Sequence, residues 1–73
     1  MSYRASDQDV IGALDTTEWC TPERICEIIS ESYGGVTVFA SALRTALKNL
    51  VQRGEVEARR EEEVDWIFKL PVS

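Results

Sequence analysis

The sequence predicts an α+β domain in which three helices precede a two-stranded β-hairpin. Three observations carry that expectation. Thr21-Pro22-Glu23 and the pair Gly34-Gly35 bracket a middle helix, a long helical period runs up to Gly54, and a two-residue alternation replaces it afterwards. The 73 residues amount to a single domain over 1–73, because chains divide into separate cores at about 100 to 200 residues each. A chain this short hides only about 60 to 65% of its unfolded surface, which leaves no room for a large enclosed chamber. A hydrophobic content of 44% and a charged fraction of 29% with both signs are those of a folded chain, not a disordered one.

Ser6 or Asp7 can cap a first helix whose Val10, Ile11, Ala13 and Leu14 lie at helical spacing, ending before Asp15 to Glu18. Thr21 suits the cap of the second helix, Pro22 its first position, and Glu23 complements the positive end of the dipole. Ile25, Ile28, Ile29 and Ser32 form its stripe with Cys26 beside them, and Gly34 and Gly35 supply the positive φ that ends it. The third helix spans Val38 to Arg53, with Thr37 as cap and Gly54 as stop. Phe39, Leu43, Ala46, Leu47 and Leu50 make its inner side, and Ser41, Arg44, Thr45, Lys48 and Gln52 an outer side free of acids. In the hairpin, Val56 and Ala58 alternate with Glu57 and Arg59, and Val64, Trp66, Phe68 and Leu70 with Asp65, Ile67 and Lys69. Pro71 ends it.

Composition excludes several function classes. Eight basic against thirteen acidic residues give a net charge of −5, the reverse of a nonspecific nucleic-acid coat, so any DNA contact must be local. There is no His, hence no ordinary general base and no common metal ligand, and no nucleophile with an adjacent base can be assembled. An enzyme is not expected, nor any cofactor. Cys20 and Cys26 have no partners for a four-ligand zinc set and read as reduced cysteines of a cytoplasmic protein. No apolar signal region opens the chain and no stretch suits a membrane span, so no membrane partner is expected.

Three helices and a hairpin in this order, with a tight turn between the second and third helices, resemble the winged helix-turn-helix family. The resemblance covers nearly the whole chain, and its most specific part is Ala46 to Arg60, where Leu47 and Leu50 stand three apart, Gly54 follows four residues later, and a strand opens at Val56. It implies a small stand-alone transcriptional regulator, of a kind familiar from phages, archaeal viruses and plasmids, that binds specific double-stranded DNA by placing helix 37–53 in the major groove and the hairpin along neighbouring phosphates or the minor groove. Thr37, Ser41, Arg44, Thr45 and Lys48 correspond to positions that carry DNA contacts in that family. Arg pairs bidentately with guanine, Ser and Thr serve base edges or phosphates, and Lys offers phosphate a point charge. The plainer reading of the same face is a solvated helix surface.

Charge distribution adds an independent indication. Residues 1–36 hold two basic and seven acidic side chains, 37–60 five and two, and 61–73 one and four, so the positive charge gathers where a DNA reader needs it. Arg53, Arg59 and Arg60 are candidates for phosphate contacts beside the groove, or else for pairing with Glu55, Glu57 and the glutamates that follow. Glu61-Glu62-Glu63 departs from the family pattern, since carboxylates repel phosphates. This tip is expected to point away from DNA or to meet a basic protein surface. A protein-docking module that holds a basic partner through its acidic surface is therefore the alternative function, because fold alone does not choose.

Trp19, Trp66 and Phe68 are expected in the core, Tyr33 in packing at the glycine turn, and Tyr3 in a flexible end. Asp7 and Asp9 are expected as solvated surface. One copy would bury only about 600 to 1,000 Å² on DNA, so a homodimer on a two-part site is expected, formed through the first helix or the second hairpin strand.

Overall fold

Ser6 opens the first helix with reciprocal bonds: its hydroxyl accepts from the Asp9 backbone N–H, and the Asp9 carboxylate accepts from the Ser6 N–H. The computed structural model describes residues 2–62 and 66–72. Among these the order is β1 (Ser2–Tyr3), α1 (Asp7–Ala13), α2 (Pro22–Ser32), β2 (Thr37–Val38), α3 (Ala40–Gln52), β3 (Glu57–Arg60) and β4 (Trp66–Lys69). Thr21 caps α2 by accepting from the Arg24 N–H at 3.2 Å, with Pro22 leading the helix.

Both longer helices stop by one device. Gly35 donates back to the Ser30 carbonyl and Gly34 to that of Glu31; at the end of α3, Glu55 donates to Leu50 and Gly54 to Val51. The motif turns the chain through a left-handed residue, and Gly34 (φ 77°) and Gly54 (φ 76°) occupy that place.

The three helices converge on one core. Val10 from α1, Ile25 from α2, and Leu43 and Leu50 from α3 are its most deeply buried side chains, joined by Ile29, Leu47, Val56 and Phe68. Truncating any of the first four to alanine removes contacts on every side, at a cost of about 2 to 5 kcal/mol for the leucines and isoleucine. The antiparallel hairpin closes the core, with Ala58 opposite Phe68 and Arg60 opposite Trp66. Cys20 adds a third backbone partner to its edge, exchanging bonds of 2.8 and 2.9 Å with Phe68.

Several expectations change. Thr37 does not cap α3; it is paired with Ser2 in a parallel two-residue ladder, β1 to β2, so α3 begins at Ala40 after Phe39 and has no side-chain cap. Phe39, held extended by donating its N–H to Tyr3, is 46% exposed and lies outside the core. Tyr3 is fixed by that ladder and not in a loose end. Ser32 is exposed, its hydroxyl bonded back to the Ile28 carbonyl.

In the hairpin, Trp66 is 47% exposed and Ile67 is buried, the reverse of the expected alternation. The physical reason is that both hairpin faces are partly covered. Ile67 shares a face with Arg59 and Lys69, whose cationic groups sit 4.7 and 5.3 Å from the centre of the half-buried Trp19 ring. Trp66 shares the core face with Phe68 but lies nearer the hairpin tip, past the end of the core. Glu63, Val64 and Asp65, which carry part of the expected acidic tip and alternation, lie outside the described residues.

Candidate nucleic-acid interface

The outer side of α3 is built by its period: with Leu43, Ala46, Leu47 and Leu50 buried, Ser41, Arg44, Thr45, Lys48, Asn49 and Gln52 are left exposed. No acidic residue lies within the helix. Arg44 and Lys48 are four residues apart, one turn on the same flank, and neither pairs with a carboxylate among the described residues. The Thr45 hydroxyl donates to the Ser41 carbonyl at 3.0 Å, which keeps its oxygen available as an acceptor.

Two clefts flank this ridge. On one side, Arg44 and Lys48 border a groove of about 710 Å³ between α3, the start of α2 and the hairpin, with Trp66 on its hairpin wall. On the other, Ser41, Thr45 and Asn49 border a shallower cleft closed by Arg4 and Asp7. Arg4 and Asn49 were not among the sequence candidates. Asn49 follows from the period of α3, one turn after Thr45, whereas the place of Arg4 depends on the N-terminal segment crossing beside α3, which the β1–β2 pairing fixes and local periodicity does not encode.

The remaining candidates are placed apart. Thr37 is exposed but belongs to β2, ahead of the helix. Arg53 binds Glu55 through two guanidinium nitrogens and reaches Asp7 at 3.2 Å; the Glu55 contact foremost, then Asp7, raises its pKa and fixes its charge. Arg59 stacks on Trp19 and pairs with Glu61 at 2.5 Å. Arg60 is exposed opposite Trp66 and has no carboxylate partner among the described residues. The structure thus brings Ser41, Arg44, Thr45 and Lys48 onto one helix face, sets Arg60 on the neighbouring hairpin, and commits Arg53 and Arg59 to internal contacts.

Asp9, in the first turn of α1, is held by several partners. Asp9 accepts from the Tyr3 hydroxyl at 2.6 Å, the Tyr33 hydroxyl at 2.5 Å and Ser6, while the two tyrosine rings stack 4.4 Å apart. Partial burial opposes its charge, but the Ser6 N–H and the Tyr3 and Tyr33 hydroxyls outweigh that and hold its pKa down to about 2. Those partners replace the solvated role expected of Asp9, and they join Tyr33 to α1. Hydrogen bonding to Asp9 in turn raises the Tyr3 pKa. Cys20 and Cys26 are free thiols whose pKa values are raised, chiefly by burial, which makes them poor nucleophiles.

Among the described residues no group of three His, Cys, Asp or Glu is placed to hold a metal ion, and no helix is long and apolar enough to cross a membrane. Neither a protein-family description nor any curated protein sequence matches this chain.

Proposed function

We propose that this chain is a winged helix-turn-helix protein that reads duplex DNA through α3, acting as a transcriptional regulator. The order of helices and hairpin supports the fold, as does Cys20 pairing along β4, which supplies a third strand position between α1 and α2. One observation carries the function: Arg44 and Lys48 stand exposed on an acid-free helix, while Arg24, Arg53, Arg59 and Lys69 are each paired with a carboxylate. Two cations without carboxylate partners among the described residues, on the exposed side of a helix, are suited to a polyanion, and the neighbouring Ser41, Thr45, Asn49 and Gln52 offer the donors and acceptors that base edges require. Arg60 and Arg4 extend the cationic border to either side for phosphates. A site of this size calls for two copies on a two-part sequence.

The test is anisotropy titration of the chain against mixed-sequence duplexes over a range of salt. Affinity is expected to fall steeply, with a log–log slope near −0.9 for each phosphate neutralised. No binding at low salt would overturn the reading and favour protein docking. Selection from a random duplex pool would then give the recognised sequence.

A further inference from the structure

We infer that the groove between α3 and the hairpin is a binding site for a small organic acid with a flat apolar body, such as an aromatic carboxylate. Its floor is apolar, made of Leu47, Val51, Ala58 and Phe68. Trp66 stands on the hairpin wall with almost half its surface open, although a ring of this kind loses free energy by remaining wet. A phosphodiester backbone is polar throughout and would leave that floor uncovered. A volume of about 710 Å³ falls within the range of small-molecule sites.

Charge fixes the ligand's sign and orientation. Arg44 and Lys48 rim the α3 side, adjacent on the helix and without carboxylate partners among the described residues, so both can reach one anionic head group. Glu23 stands on the α2 side beside Pro22 and repels an anion there. The acid group therefore lies against α3 and the flat body runs across the floor towards Trp66, where it stacks. A neutral ligand would gain no charge attraction from these two exposed cations, and a cationic one would be repelled by them.

The experiment uses 2-naphthoate as probe and 2-naphthamide as its neutral counterpart, followed by amide and indole N–H signals of the isotopically labelled chain. The two tryptophan indole signals are assigned with Trp66→Phe. Naphthoate should shift the Trp66 indole and the amides of residues 44–52 saturably, with Kd below about 1 mM, and naphthamide should bind at least about tenfold more weakly. Arg44→Ala combined with Lys48→Ala, both at exposed positions, should abolish the preference for the acid while leaving the spectrum of the folded chain intact. Shifts that never saturate, equal affinity for acid and amide, or a preference surviving the double substitution would each overturn the inference.

Binding of the acid stands independently of the DNA reading. Exclusion of duplex by the acid rests on that reading, because both would use Arg44 and Lys48. Where the duplex titration without ligand succeeds, saturating naphthoate should weaken it at least about tenfold; an unchanged duplex Kd would overturn exclusion alone.

Discussion

The cations of this protein fall into two regions with opposite employment. On the outer hairpin face, at the end of α3 and on α2, Lys69 pairs with Glu57, Arg59 with Glu61, Arg53 with Glu55 and Asp7, and Arg24 with Glu27. Around the exposed side of α3, Arg44, Lys48, Arg4 and Arg60 have no such partners among the described residues, although the chain has acids in excess. With thirteen carboxylates for eight cations, leaving these four unpaired is a matter of placement and not of supply. The difference separates cations already engaged with the chain's own carboxylates from cations left to other partners, and it makes the two regions separable by mutation.

The largest effect is expected at Asp9, an acid that serves the fold and pairs with no cation among the described residues. Asp9→Ala removes the acceptor shared by Ser6, Tyr3 and Tyr33 and should cost about 2 to 3 kcal/mol, measured by urea unfolding, with duplex affinity changed far less. Acid should reproduce part of this loss. Because the folded pKa of Asp9 lies at about 2, below the ordinary value of 3.8, its contribution is complete above the ordinary value and disappears as pH falls through about 2. Asp9→Asn should flatten that segment of the stability profile, and an unaltered acid limb would show that other carboxylates govern it.

On the cationic side, Arg44→Ala should reduce duplex affinity by about 1 to 3 kcal/mol and relax preference at one base pair, without altering the unfolding midpoint. Lys48→Ala should weaken all duplexes alike and make the salt slope shallower by about one. If both variants bind as the parent does, the division between the two regions fails. The smallest effect belongs to Arg53→Ala, which gives up two exposed ion pairs worth under about 1 kcal/mol in total stability and should leave the salt slope in place. A slope change as large as that of Lys48→Ala would move Arg53 into the cationic region.

Where structure follows from neighbours in sequence, it was legible. Ser6, Thr21-Pro22, Gly34-Gly35 and Gly54 set helix ends through bonds spanning three to five residues, so their residue types announce the ends directly. The inner stripe of α3 from Leu43 to Leu50 follows from its period, and that in turn leaves Arg44 and Lys48 outside. What could not be read depends on contacts remote in sequence. Nothing near Thr37 signals that Ser2 will pair with it, and without that ladder Thr37 reads as a helix cap and Tyr3 as a loose end. Likewise, strand alternation assumes one evenly covered face; Trp19 lies against the cations that share the face of Ile67, while Trp66 stands past the end of the core on the other. Arg53, a candidate for its place at the end of the third helix, pairs with Glu55 as the alternative reading allowed, but its second partner, Asp7, lies 46 residues away and could not be read locally.

The parallel pairing of β1 with β2 has a practical bearing on how the molecule is handled. Ser2 and Tyr3 lie alongside Thr37 and Val38, and Tyr3 accepts the Phe39 N–H just ahead of α3. An affinity tag or fluorophore fused ahead of Ser2 would emerge beside the leading turn of the helix whose surface is to be assayed, and would crowd it.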